Sequence, residues 1–154
     1  MYELTLNVHS LLRWLVVLVG LVAAVRSLGA LVSRRPWTPL DDNAGRWFAM
    51  SVDVQTLIGL ALYGLLSPIT RTAFANMGEA MRDATMRYWA VEHVSLMLIA
   101  LAMVHVGRSR SRKGATSAAK HRSAAIFYTL ALAAILAAIP WPFLPQGRPL
   151  LPGF

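Results

Sequence analysis

Four long apolar runs, separated by polar connections, dominate the pattern of this chain. They cover about residues 4–32, 47–66, 88–106 and 124–141. Each is near the roughly 20 residues that a helix needs to cross a hydrocarbon core, and only a helix or a closed barrel satisfies every backbone group there. The pattern therefore predicts an all-α integral membrane protein, a single domain built as a four-helix bundle. The first run is long enough to tilt or project. It opens with "MYELT", which has an acid and no basic region, so it reads as a span and not as a cleaved signal peptide. The fourth is short and alanine-rich, and "PWPFLP" breaks its far end. Between the second and third runs, Phe74, Met77, Met81, Ala84 and Tyr88 recur at three- and four-residue steps. That spacing predicts one amphipathic helix over about 72–86, lying on the membrane surface.

Composition agrees with this pattern. The chain has 154 residues, 56% of them hydrophobic, and a mean hydropathy of +0.52, which is too apolar for an ordinary soluble domain. The net charge of +8 taken alone suggests a nucleic-acid partner. Its distribution argues against one, because the basic residues sit between the apolar runs. Nine of them (Arg34, Arg35, Arg46, Arg108, Arg110, Arg112, Lys113, Lys120 and Arg122) fall on one side, and four (Arg71, Arg82, Arg87 and Arg148) on the other. The richer side is expected in the cytoplasm, with both termini outside, in the periplasm if the cell is a diderm bacterium. The connection "GRSRSRKGATSAAKHRS" reads as a mobile loop resting on anionic lipid headgroups. The absence of cysteine removes disulfides, thiolate metal sites, iron–sulfur clusters and covalent c-type haem.

Candidate chemistry lies in the ionisable residues inside the spans, which are expensive without partners. His9 and Arg13 sit near one end of the first span. Glu92 and His93 enter the third span at the same depth. An Arg13–Glu92 ion pair would lower the cost of burying each, either as a helix–helix lock or as part of a site. Two imidazoles from two helices at one depth can clamp a haem iron on its two faces, and Arg13 can pair with a propionate. The competing reading gives each histidine a local hydrogen bond and no metal. His105 and His121 are at similar depth near the other end and form a weaker candidate for a second haem, since the "KHRS" flank reads as solvated. In the second span Gln55 faces a cofactor or a neighbouring backbone, and Asp53 is expected to pair with Arg26. The adjacent acids of "LDDN" read as a loop or helix cap. Phosphate-loop, dinucleotide and nucleophile-elbow motifs are absent from the sequence.

"HSLLRW", "DVQTLIGLALY", "RYWAVEH" and "KHRSAAIFYTLALAAILAAIPWPF" resemble, over nearly the whole chain, a family of small four-helix bacterial membrane proteins. Its members are often labelled cytochrome b or cytochrome b-like. The resemblance implies haem b, with His9 and His93 as axial ligands, Arg13 and Glu92 beside them, and His105 and His121 matching less securely. It implies electron transfer in the bacterial inner membrane, with a quinone or other membrane redox proteins as partners. Two other readings stay open. One is a haem-free accessory subunit of a larger respiratory or photosynthetic complex. The other is a proton-coupled carrier using Asp53 and Glu92.

Overall fold

The computed structural model describes residues 1–151, and these are helical with no strand among them. Helix α1 runs Tyr2–Ser33, and α2 runs Pro39–Ala61 and continues into a π turn, Leu62–Leu66. Three short helices follow: α3 (Pro68–Ala75), α4 (Met77–Ala80) and α5 (Ala84–Arg87). A second π turn, Tyr88–Glu92, leads into α6 (His93–Lys113), and α7 covers Ser117–Ala137. The four long helices pack in a ring in which α1 touches α2 and α7, and α6 touches α2 and α7. Helices α1 and α6 thus stand across the centre from each other.

Three segments, Tyr2–Ser33, Pro39–Leu66 and Ala84–Lys113, are long and apolar enough to cross a membrane. The fourth expected span falls short of that. Helix α7 opens with Lys120, His121 and Arg122 and stops at Ala137, ahead of Pro140, so its purely apolar stretch is brief. The ring is inside-out for a soluble protein. Leu18 is 59% exposed and Leu57 68%, while the core is built from small residues such as Ala23, Ala24, Ala100, Ala124 and Ala131. Small residues let helix backbones approach closely, which is how helices associate in lipid. Gly20 shows the need: a Cβ there would lie 2.7 Å from the Phe48 ring, which packs edge-on against Tyr128 at 5.7 Å.

Three boundaries differ from the sequence expectation. Helix α2 begins eight residues before Trp47, because Thr38 and Asp41 form a capping box and Pro39 opens the helix. Of the adjacent acids, Asp41 is thus part of a helix cap, and Asp42 pairs with Arg108. The single surface helix is three short pieces. Asn76 accepts from the Glu79 N–H at 3.3 Å and Asp83 from the Met86 N–H at 2.6 Å, and each restarts the helix where the side chain competes with the backbone. Lastly, the basic connection is not a long loop. Helix α6 carries its arginines to Lys113, where they complement the helix C-terminus, and only Gly114–Thr116 separates it from α7.

Candidate functional site

The central feature is a pair of imidazoles facing each other across the ring. His9 comes from the third turn of α1. His93 is the first residue of α6, brought into position by the π turn before it. Their ring centroids are 6.5 Å apart with planes at 64°. Single π turns inside α-helices are frequent at functional sites.

His93 is held by the end of α7. A helix leaves its last four carbonyls without intrahelical partners, and the Ala138 carbonyl is close to that end. It accepts from His93 Nδ1 at 2.8 Å and from the Tyr88 hydroxyl at 2.6 Å. A carbonyl only accepts, so Nδ1 carries the proton and Nε2 carries the free lone pair. That is the arrangement by which a backbone carbonyl orients a metal-ligating imidazole. Trp89 flanks the same ring at 5.6 Å.

His9 is the looser partner. Its Nδ1 is buried without a hydrogen bond. Its ring lies over Gly59, where a Cβ would come within 3.1 Å of His9 Cε1. Gln55 donates to the His9 backbone carbonyl at 2.8 Å, and its own Oε1 is buried without a partner. Of the two roles expected for Gln55, the backbone contact is the one present.

Two open spaces share this pair as a wall. One, about 760 Å³ including its open mouth, extends past Tyr63 and Thr70 toward α3. The other, about 670 Å³ on the same measure, extends past Arg13 and Ile135 toward the end of α7. His9, Gln55, Trp89, His93, Met97 and Arg148 border both.

The expected partners of the other polar residues rearrange. Arg13 does not meet Glu92. It donates to the Leu150 carbonyl at 2.8 Å, beside the Trp14 indole N–H, which donates to the same oxygen at 2.9 Å. Glu92 pairs with Arg87 at 2.7 Å and is about half-exposed. The two are five residues apart, the spacing that a π turn stacks on one face. Asp53 pairs with His105 at 2.7 Å and not with Arg26. Arg26 pairs with Asp41, because the early start of α2 brings that carboxylate level with it. His105 and His121 keep separate company. His105 is half-exposed on Asp53, whereas His121, expected to be solvated, is buried against Trp37 at 4.9 Å with neither ring nitrogen hydrogen-bonded.

No protein-family model, curated protein or solved structure matches this chain.

The residues present fit a haem better than a metal enclosed by protein alone. Among the described residues no group of three or more His, Asp or Glu gathers around one point, so a tetrahedral zinc site lacks its donors. Two facing imidazoles suit an iron whose other four bonds come from a porphyrin. Metal–imidazole bonds of about 2 Å place the two ring centres about 6 Å apart, close to the 6.5 Å observed.

Several contributors carried little sequence signal. Tyr88 reads as a step of the surface helix and Arg148 as one charge on the poorer side, and neither reading points to the cavity. Only the tail's turn-rich "PWPFLPQGRP" hints that the chain doubles back. Arg148 N–H donates to Pro140 O at 3.0 Å, and the Arg148 guanidinium lies 4.6 Å over the Trp89 ring.

Proposed function

We propose that this chain is a b-type haem-binding electron-transfer protein of the bacterial inner membrane. In this reading the ring of long helices is a transmembrane four-helix bundle. Both termini and the histidine pair lie toward the periplasm, and the basic helix ends lie in the cytoplasm against anionic headgroups. His9 on α1 and His93 on α6 would hold the haem. When bound, haem b supplies a one-electron redox centre, whose potential the axial ligands and the surrounding burial set. The protein's own share is orientation and exclusion. Ala138 and Tyr88 fix the His93 ring, Gly59 admits the His9 ring, and Trp89 and Met97 keep water from the pair. Partners are then a membrane quinone or another membrane redox protein.

The observation that carries this reading is the 6.5 Å cross-ring separation of two imidazoles, one of them already oriented through Nδ1. Purified protein loaded with haem should show a six-coordinate bis-imidazole spectrum, with a sharp α band on reduction. His9→Ala and His93→Ala should each abolish it. A preparation that stays colourless after haemin reconstitution overturns the reading.

A second reading, a haem-free accessory subunit of a larger respiratory or photosynthetic complex, draws on the Asp53–His105 pair. Its side chains are 43% and 50% exposed within segments apolar enough to span a membrane, and a neighbouring subunit covering them would lower that cost. Stoichiometric co-purification of colourless protein with such a complex would favour it.

A further inference from the structure

Among the described residues, the two guanidiniums beside the histidine pair have no counter-charge. Arg13 and Arg148 both border the space of about 670 Å³ next to His9 and His93. Among the described residues, no carboxylate forms a salt bridge with either, although Asp41, Asp42, Asp53 and Glu92 each have a cationic partner. Arg13 spends one N–H on Leu150 O, and its Nε is buried without a partner. Arg148 offers one N–H to the Tyr2 hydroxyl at 3.4 Å and rests on the Trp89 ring. A guanidinium carries five donors in a planar fork that matches a carboxylate, so most of the donor capacity here is unspent. Both residues are partly buried, and a partly buried cation gains from an anionic partner.

We infer that Arg13 and Arg148 form a seat for the paired carboxylates of a dicarboxylic porphyrin, held at the end of the cavity that the C-terminal segment covers. Pro140, Trp141 and Leu144 build the turn that returns Arg148 to this position. The Arg148 N–H bonds Pro140 O, and the Gly147 N–H bonds Leu144 O at 2.8 Å. The seat would orient the macrocycle by its acidic edge, independently of what the imidazoles do to its centre. The inference rests on the porphyrin reading of the cavity, but not on iron ligation.

Metal-free protoporphyrin separates the two, because it has the carboxylates and no metal for the histidines. Its binding to protein in neutral-lipid nanodiscs can be followed by quenching of tryptophan fluorescence, with empty nanodiscs as the blank. Trp14 and Trp89 lie beside the two arginines. The diacid should bind at least tenfold tighter than its dimethyl ester. Arg13→Gln and Arg148→Gln should each shrink that ratio severalfold, and Arg46→Gln, exposed at the other end of the ring, should leave it in place. Equal binding of diacid and ester to the wild-type protein overturns the seat, as does a ratio untouched by both arginine variants. Succinate binding as tightly as the porphyrin overturns the assignment to porphyrin carboxylates. If the diacid preference holds and ferric haem gives no histidine-dependent spectrum, the electron-transfer reading falls and the seat stands.

Discussion

The two ends of the helix ring differ in how their charged groups are paired and in the space left around them. At the end where α1 leaves and α2 begins, Asp41 is buried, and nearly every donor around it is used. Its carboxylate takes Arg35 at 2.7 Å, Arg26 at 3.0 Å and the Thr38 hydroxyl at 2.6 Å. The bond to Asp41 also pushes the Arg35 guanidinium further up from its ordinary value. Close by, Asp42 takes Arg108 at 2.7 Å and joins α2 to α6. At the other end, His9 Nδ1, Gln55 Oε1 and Arg13 Nε are buried and unsatisfied, and open space surrounds them. A network that satisfies itself is a lock. A cluster of unspent donors and acceptors around a cavity is a site waiting for a partner, because natural proteins leave few such groups unpaired. Both regions are polar and both sit at helix ends, so polarity alone does not distinguish them. Satisfaction does.

Breaking the lock is the most disruptive test of the comparison. Asp41→Ala strands Arg26 and Arg35 and removes half of the α2 capping box. It should cost about 3 kcal/mol or more, as loss of one member of a buried pair does, and lower the thermal midpoint in detergent. Porphyrin binding by the fraction that stays folded should be unchanged. A variant that keeps wild-type stability would show that the network is idle.

A sharper probe works at the site. Gly59→Ala places a methyl 3.1 Å from the His9 ring, whereas at Gly64 nothing lies within 4 Å of an added Cβ. Haem affinity should fall about tenfold in Gly59→Ala, equivalent to about 1.4 kcal/mol, and stay level in Gly64→Ala. Equal behaviour of the two variants would mean that the His9 ring position is unimportant.

The smallest expected effect is at Tyr88. Tyr88→Phe removes one donor from the Ala138 carbonyl and leaves His93 Nδ1 on it. The cost should be about 1 kcal/mol, read in an unfolding curve, with the haem spectrum retained. Loss of the spectrum would show that the hydroxyl, and not the carbonyl, positions His93.

Much of the fold was legible because membrane helices are written as long apolar runs. The first three runs appear as helices long enough to span, and the all-α class follows. What the pattern missed lies where local chemistry overrides hydrophobicity. The start of α2 is set by Thr38, Pro39 and Asp41 and not by Trp47, and that shift reassigned Arg26. The π turn at Tyr88–Glu92 moved Glu92 onto Arg87, which a uniform turn of 3.6 residues does not foresee. The approach of His9 to His93 was readable from depth alone, since one span enters where the other does. The role of Arg148 was not. It depends on a tail returning to α1 and Trp89, and a contact across more than a hundred residues leaves no periodic trace.

The diagonal placement of α1 and α6 carries one more consequence. These two helices share no seam of their own and are joined only through α2 and α7, so a group lying across the middle would add a direct tie between them. A ligand gripped from both sides would act as a cross-brace, stabilising the loaded form by mass action. Occupancy would then decide how long the polypeptide survives a protease, and an empty copy would be cleared sooner than a filled one.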